Sequence, residues 1–179
     1  MNLRILYHGL GMAGKTTNLE KLREIYSGYV SDRIHQQTTE GRTVYLDMLS
    51  LNLRTKSGNG EVWISLFTTP GQERFRLLRG WLFGHVDGVV LVIDSSRSME
   101  ENLRAYEELK EYGLLKAPIV VQANKRDVPD PLPIEVIKET FNGLTVVEAI
   151  AREGYGVAET LREILREVLN ANIGPRLWP

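Results

Sequence analysis

The amino-acid sequence predicts an α/β domain on a mostly parallel six-stranded sheet, with one antiparallel hairpin and helices on both faces. Continuous apolar runs at 89–93 and 119–121 are typical of parallel strands covered on both faces. Helical periodicity flanks each run, most clearly in the amphipathic stretch 157–168. A glycine-rich loop separates an apolar strand at 3–7 from the first helical pattern, so strands and helices alternate from the start.

The elements after the first helix follow in order along the chain. Strands at Val44–Leu53 and Val62–Phe67 are predicted to form the hairpin, across a turn at 56–60 whose residues tolerate positive φ. Parallel strands and helices alternate after the hairpin, and the last helix covers the sheet. The apolar stripes of these later helices are Leu103, Tyr106 and Leu109, then Ile134, Ile137 and Phe141, and finally Val157, Leu161, Ile164, Leu165 and Val168.

The second strand has an irregular apolar pattern. Its alternation changes parity after Met48, so the two halves would face opposite sides of the sheet. A bulge near Met48 would reconcile the two halves, and so would a strand able to slide between two pairings. We favour the bulge, because bulges commonly absorb such mismatches.

Composition excludes several classes of protein. The 179 residues are 42% hydrophobic and 25% charged with a net charge of −1, which is typical of one globular domain and gives no bulk attraction to nucleic acid or anionic membranes. The chain has no cysteine, so disulfides and thiolate chemistry are excluded. Since we find no membrane span, signal peptide or lipidation motif, we expect a cytoplasmic protein without a direct membrane anchor.

A complete Walker A pattern lies between the first strand and the first helix. Its glycines allow backbone N–H groups to face phosphate oxygens, Lys15 brings positive charge, and Thr16 offers a hydroxyl to Mg²⁺. His8 precedes the loop and is interpreted as a packing residue. The expected phosphate-binding residues are Gly9, Leu10, Gly11, Met12, Ala13, Gly14, Lys15, Thr16 and Thr17.

A second motif indicates which base is bound. Asn124-Lys125-Arg126-Asp127 follows a buried strand, where the Asp127 carboxylate can accept from the guanine N1–H and exocyclic amine, two donors that adenine does not present together. Asn124 can brace the loop, and the stem of Lys125 can cover the base plane. The sequence therefore predicts binding of guanine nucleotides, GTP and GDP.

These motifs together resemble those of Ras-like small GTPases. The resemblance rests on Gly9–Thr16, the TTPGQ segment at 68–72, Asn124–Asp127, and Glu148-Ala149 before the last helix. It implies a Ras-like P-loop NTPase domain at 1–172 with a short tail at 173–179. By the same resemblance, Glu148 and Ala149 contribute to the nucleotide site.

At three departures from the common Ras-like pattern, the chain resembles the bacterial MglA type of this family. They are Gly-Lys-Thr-Thr-Asn at 14–18, Arg42-Thr43 before the second strand, and threonine at position 68, where most Ras-like proteins have aspartate. The resemblance implies a GTP/GDP switch in bacterial cell polarity or motility that uses Mg²⁺. It also implies inactivation by a Roadblock/LC7-domain partner and effectors that bind the switch regions.

Candidate hydrolytic residues lie in the two switch regions. Gln72 is expected to hold the attacking water, and Arg42 is by resemblance an arginine finger within the chain. Thr43 is favoured over Thr38 and Thr39 as the second Mg²⁺ ligand because it directly precedes the strand. Gly71 would meet the γ-phosphate through its N–H. Apolar residues after Gln72, which combine core and partner-surface candidates, are Phe75, Leu77, Leu78, Trp81, Leu82 and Phe83.

Two other functions remain open at this point. Threonine at position 68 contributes no negative charge to a metal site, which motivates a GTP-binding scaffold with little or no hydrolysis. Asp94 ends an apolar strand as in Walker B motifs, which motivates a small ATPase or kinase. We favour a local loop or capping role for Asp94, because Ser95 and Ser96 beside it make such a role sufficient.

Overall fold

The computed structural model describes residues 1–32, 47–54, 60–69 and 85–173. The described strands are β1 (Asn2–Gly9), β2 (Val30–Asp32), β3 (Met48–Arg54), β4 (Glu61–Thr68), β5 (Gly88–Asp94), β6 (Ile119–Asn124) and β7 (Thr145–Glu148). The described α-helices are α1 (Lys15–Ile25), α2 (Met99–Glu111), α3 (Ile134–Thr140) and α4 (Val157–Ile173). Short 3₁₀ turns are Ser27–Tyr29, Leu114–Lys116 and Ala151–Glu153.

One sheet contains all described strands, in the order β2-β3-β4-β1-β5-β6-β7. β1 pairs in parallel with both β4 and β5, and β5, β6 and β7 continue the parallel arrangement. β3 pairs antiparallel with β4, which confirms the predicted hairpin. The predicted fold class is confirmed, and the three-residue edge strand β2 is an addition that no sequence pattern indicated.

The helices cover the two faces of the sheet. All seven residues of β5 are buried, and successive side chains point to opposite faces, so both faces are covered there. α4 packs so closely on Gly88 that a Cβ there would lie 2.6 Å from Val168. His8 of β1 faces the other side, where its Nε2 lies 2.9 Å from the Ala105 carbonyl oxygen of α2. None of the described helices is long and apolar enough to span a membrane.

The pairing of β3 with β4 is regular from Met48 opposite Phe67 to Arg54 opposite Glu61. The bulge predicted near Met48 is therefore absent from this pairing over the described residues. β3 begins at Met48, so only the second half of the alternation belongs to the described strand, and its Leu49 and Leu51 are buried. Residues 33–46, which hold the first half, lie outside the described residues. A register shift does occur between β2 and β3, between Val30 and Asp32.

Candidate nucleotide-binding site

The glycine-rich loop connects the end of β1 to the start of α1. The Ala13 N–H donates to the Leu10 carbonyl at 3.2 Å, which closes the turn. Met12 and Gly14 have φ angles of 64° and 105°, the left-handed region that lets successive N–H groups face one concave site. A Cβ at Gly14 would lie 2.3 Å from Asn124 Nδ2, so glycine is required there by both φ and space.

Lys15 folds back over this loop. Its Nζ donates to the carbonyl oxygens of Gly9 at 2.9 Å and Leu10 at 2.7 Å. Burial lowers the pKa of the Lys15 ammonium, and the negative charge of Glu108 opposes that effect. An incompletely hydrated cation at the mouth of the loop attracts a phosphate, which would supply the missing negative charge.

The first turn of α1 leaves its N–H groups available to an anion. The N-cap Gly14 has no side chain to accept from them, and no acidic residue lies in the first turn. These uncapped N–H groups and the positive end of the helix dipole add to the charge of Lys15. Thr17 is half-buried in this turn, and Thr16 is exposed with its hydroxyl donating to Asp47 Oδ2.

Asn124 joins the glycine-rich loop to the loop after β7. Its Nδ2 donates to the Ala13 carbonyl at 2.9 Å, and its Oδ1 accepts from the Ala151 N–H at 2.9 Å. The side chain is buried, so both bonds are shielded from water. The bracing predicted for Asn124 therefore appears as two specific contacts that hold the phosphate side and the base side together.

Lys125 is held by the buried Asp94. Its Nζ lies 2.7 Å from Asp94 Oδ2, and the backbone of Lys125 is left-handed with φ 62°. Ser96 also donates to Asp94 Oδ1, from its N–H at 3.0 Å and its hydroxyl at 2.5 Å. Asp94 therefore organises the base-side loop, and its contacts give no support to the Walker B interpretation.

The remaining base-side residues are also paired. The Asp127 carboxylate forms an ion pair with the exposed Arg152 guanidinium. Glu148 Oε2 accepts from Arg126 Nε at 3.0 Å, and the Ala149 N–H donates to the Ala123 carbonyl at 2.8 Å as a continuation of the sheet. Asp127 thus already has a charged partner at its Oδ2. The contributions of Glu148 and Ala149 to nucleotide binding stay predictions.

Four predicted site residues cannot be placed. Arg42, Thr43, Gly71 and Gln72 lie outside the described residues. The same is true of the alternative ligands Thr38 and Thr39, the apolar segment 75–83 and the tail from residue 174. The roles assigned to all of these from the sequence stay predictions. Among residues that are described, no group of three or more histidines and carboxylates could hold a metal ion.

A buried amide network beneath the loop was missed by the sequence analysis. Asn18 Nδ2 donates to the Gly14 carbonyl at 2.9 Å and to Gln122 Oε1 at 2.8 Å, and Gln122 Nε2 donates back to Asn18 Oδ1 at 2.9 Å. Gln122 Nε2 also donates to Thr160 Oγ1 at 2.8 Å. Three polar side chains without solvent exposure thereby connect α1, β6 and α4. The sequence signal for this network was a polar residue within an apolar pattern, as at Gln122 in β6.

Gly156 is a second residue that the sequence analysis missed. It has φ 72°, and a Cβ there would lie 2.1 Å from the Glu148 carbonyl oxygen. Its own carbonyl accepts from Thr160 Oγ1 at 2.7 Å. Gly156 therefore fixes the path of the loop after β7 against the last helix.

Sequence comparison identifies a protein family and several relatives of this chain. A model of the ADP-ribosylation factor family matches residues 1–170. The mutual gliding-motility protein MglA of Myxococcus xanthus is 35% identical over an alignment that covers 94% of this chain and 91% of MglA. ADP-ribosylation factor-like protein 3 of Caenorhabditis elegans is 30% identical over 143 residues, which cover 78% of this chain and 70% of that protein. Elongation factor 4 of Thermus thermophilus is also 30% identical, but the match covers only 27% of its length.

The family match spans the whole described site, from the glycine-rich loop to the last helix. It confirms the resemblance drawn from the motifs and, with it, a protein that binds guanine nucleotide and hydrolyses GTP. This chain belongs to the ADP-ribosylation factor family and is a small GTPase of the MglA type.

Proposed function

We propose that this small GTPase hydrolyses GTP slowly by itself, is accelerated by a protein partner, and acts in bacterial cell polarity or gliding motility. The observation that carries the proposal is the pair of bonds from Asn124, which joins the phosphate loop at Ala13 to the base-side loop at Ala151. Both halves of a guanine-nucleotide site are thereby held in one arrangement. The biological process is supported by the name of MglA, a mutual gliding-motility protein.

The nucleotide domain of this proposal spans residues 1–172, and 173–179 form a tail. Mg²⁺ fits the phosphate side, because the exposed Thr16 hydroxyl beside a carboxylate offers the hard oxygen chemistry that this ion prefers. Thr16 and Thr43 would hold it. The bound ion would neutralise charge on the β and γ phosphates. Thr43 and Gly71 would order the switch regions around GTP and release them after hydrolysis.

Gln72 and Arg42 carry the hydrolytic step in this proposal. The Gln72 amide would orient the attacking water, and the Arg42 guanidinium would stabilise charge on the transferring phosphoryl oxygens. A Roadblock/LC7-domain protein is the proposed activating partner, and it would act by positioning these two side chains. Effectors would bind the same switch regions in the GTP state.

Single-turnover phosphate release from GTP-loaded protein with Mg²⁺ tests this assignment. We expect slow release from the wild type, and a loss of about 10³-fold or more in Arg42→Ala, because arginine fingers contribute on that order. Gln72→Leu should retain GTP in the same way. Arg104→Ala, on the described helix α2, is the control and should leave release unchanged.

Three outcomes would contradict parts of the proposal. Release that is unaffected in Arg42→Ala would assign the charge to another arginine or to a partner. Unchanged turnover in Gln72→Leu would remove the water-orienting role. A wild type that holds GTP but releases no phosphate, even with a Roadblock/LC7-domain protein added, would be a nucleotide-binding scaffold rather than a switch.

A further inference from the structure

An aspartate lies opposite Thr68, the position at which most Ras-like proteins have a metal-binding aspartate. Thr68 ends β4, is buried, and has a hydroxyl that brings no negative charge. Directly across the hairpin lies Asp47, whose carbonyl oxygen accepts from the Thr68 N–H at 3.0 Å. Asp47 is therefore the residue opposite Thr68 in the ladder that continues from Met48 and Phe67.

The Asp47 side chain lies on the face of the sheet that is covered by the phosphate loop and α1. Residues that oppose each other in an antiparallel pair share one face of the sheet, and alternate residues along a strand share it too. Leu49 and Leu51, which follow Asp47 on this face, are buried. The Asp47 carboxylate reaches the first turn of α1, where its Oδ2 accepts the proton of the Thr16 hydroxyl.

This hydrogen bond prepares Thr16 for a cation. A hydroxyl has one proton and two lone pairs, so a proton directed at Asp47 leaves the oxygen lone pairs for a metal. A carboxylate that accepts from a metal ligand also orients that ligand and makes its oxygen a stronger donor. The negative charge of Asp47 would additionally lie close to the cation, where the Thr68 hydroxyl has none to offer.

We propose that Asp47 supplies the carboxylate of the magnesium site in place of position 68, by orienting the Thr16 hydroxyl from the neighbouring strand. This inference rests on the proposed Mg²⁺-dependent binding of GTP and GDP. Asp47 is a positioning residue in this arrangement, since it acts on the ion through Thr16. Its removal should weaken Mg²⁺ binding and leave the contacts of Lys15 with the nucleotide intact.

The test is the release of a fluorescent GDP analogue from preloaded protein, measured against free Mg²⁺ concentration and in excess EDTA. For Asp47→Asn we expect the Mg²⁺ concentration for half-maximal retention to rise about 10–100-fold, as for other residues that orient metal ligands. The release rate in EDTA should equal that of the wild type. Glu20→Gln is the matched control, because Glu20 lines the same groove as Asp47 and Thr16 without a bond to Thr16 among the described contacts.

Two further variants separate orientation from folding. Asp47→Glu should recover part of the Mg²⁺ dependence, because the carboxylate is retained on a longer side chain. Thr68→Asp in the Asp47→Asn background returns a carboxylate to the opposing strand and should restore Mg²⁺ retention toward the wild-type value. A structural defect at position 47 would not be repaired by a change at position 68.

Results that refute the role of Asp47 differ from results that refute the proposed function. An identical Mg²⁺ dependence in Asp47→Asn and wild type overturns the role of Asp47. Faster release by the same factor with Mg²⁺ and in EDTA also overturns it, because the effect would then be structural. A wild type that fails to retain the GDP analogue, or retains it without regard to Mg²⁺, refutes the underlying function instead.

Discussion

At the scale of single residues, the base-side loop depends on one buried carboxylate. Burial by itself raises the pKa of Asp94, but hydrogen bonds from Lys125 and Ser96 outweigh burial and leave the pKa below its ordinary value. A carboxyl group with a lowered pKa stabilises the folded protein fully above its unfolded pKa of about 3.9. That stabilisation is lost as the pH falls through the lower, folded pKa.

Asp94→Asn should lower the free energy of unfolding by about 1.5–3 kcal/mol at pH 7, since Lys125 and Ser96 lose a charged acceptor. The difference from wild type should begin to shrink below about pH 4, where Asp94 takes up a proton in the unfolded chain, and should be lost as the pH falls through the lower folded pKa. Urea unfolding at pH 7, 5 and 3.5 measures both effects. Glu107→Gln is the control, because its exposed carboxylate lies 3.9 Å from Lys110 and contributes little. A difference that persists undiminished at pH 3.5 would contradict the charge argument.

The contact between Asp47 and Thr16 depends on strand pairing rather than on the sequence around either residue. Asp47 stands at the start of an apolar strand, and nothing in its neighbours along the chain relates it to Thr16, 31 residues earlier. The relation exists only because β3 runs antiparallel to β4 and begins level with the end of β4, which places Asp47 opposite Thr68. Sequence reasoning identified the missing aspartate at position 68 but could not identify a substitute on another strand.

At the scale of elements, α1, β6 and α4 are joined by the reciprocal amide pair of Asn18 and Gln122, with Thr160 as a third member. All three side chains are completely buried. Buried polar groups stabilise when every partner is present and cost free energy when one is removed. Because Asn18 also donates to the Gly14 carbonyl, this contact connects the packing of three elements to the phosphate loop.

Asn18→Leu and Gln122→Leu should each destabilise the protein by about 1–3 kcal/mol, because each leaves the other amide without its partner. The double variant should cost less than the sum of the two, with an interaction energy of about 0.5–3 kcal/mol. Urea unfolding of the four proteins at one pH gives this cycle. Strict additivity would mean that the two amides do not stabilise each other. Thr140→Val is the control, because the Thr140 hydroxyl donates to the Val136 carbonyl in an exposed bond within α3.

The β3–β4 hairpin shows which features of secondary structure could be predicted from the sequence. Its pairing was predicted correctly from alternating apolar residues and a glycine-containing turn, because those patterns reflect burial on one face. The predicted bulge near Met48 is absent from the described pairing, which is regular from Met48 to Arg54. Residues 33–46, which precede this strand, lie outside the described residues. β2 was missed because three residues are too few for a periodic pattern.

At the scale of the molecule, the two halves of the nucleotide site come from distant parts of the chain. The glycine-rich loop follows β1, the central strand of the sheet, and the base-side residues follow β6 and β7 at one end of the strand order. Asn124 is the side chain that binds both halves. A nucleotide that contacts both loops should therefore stabilise the whole domain rather than one loop.

GDP with Mg²⁺ should raise the free energy of unfolding by about 2.7 kcal/mol at 100 times its Kd, and ATP at the same concentration should give no stabilisation. Asn124→Ala should reduce the effect of GDP, because the two loops lose their common bond. Thermal unfolding with each nucleotide measures this. Asn142→Ala, at an exposed turn, is the control. Equal stabilisation by ATP would contradict guanine recognition and reopen the ATPase interpretation.

The sequence by itself determined the fold class, the phosphate loop and the preference for guanine. These properties depend on local patterns: the burial of strands leaves apolar runs, and a phosphate loop needs glycines and a lysine at fixed spacing. The tertiary structure alone decided that Asp94 holds Lys125, that Asn18 pairs with Gln122, and that Asp47 faces Thr16. These contacts join residues between 31 and 104 positions apart. Only the order and register of the strands brings such side chains together, and no spacing along the chain encodes that register.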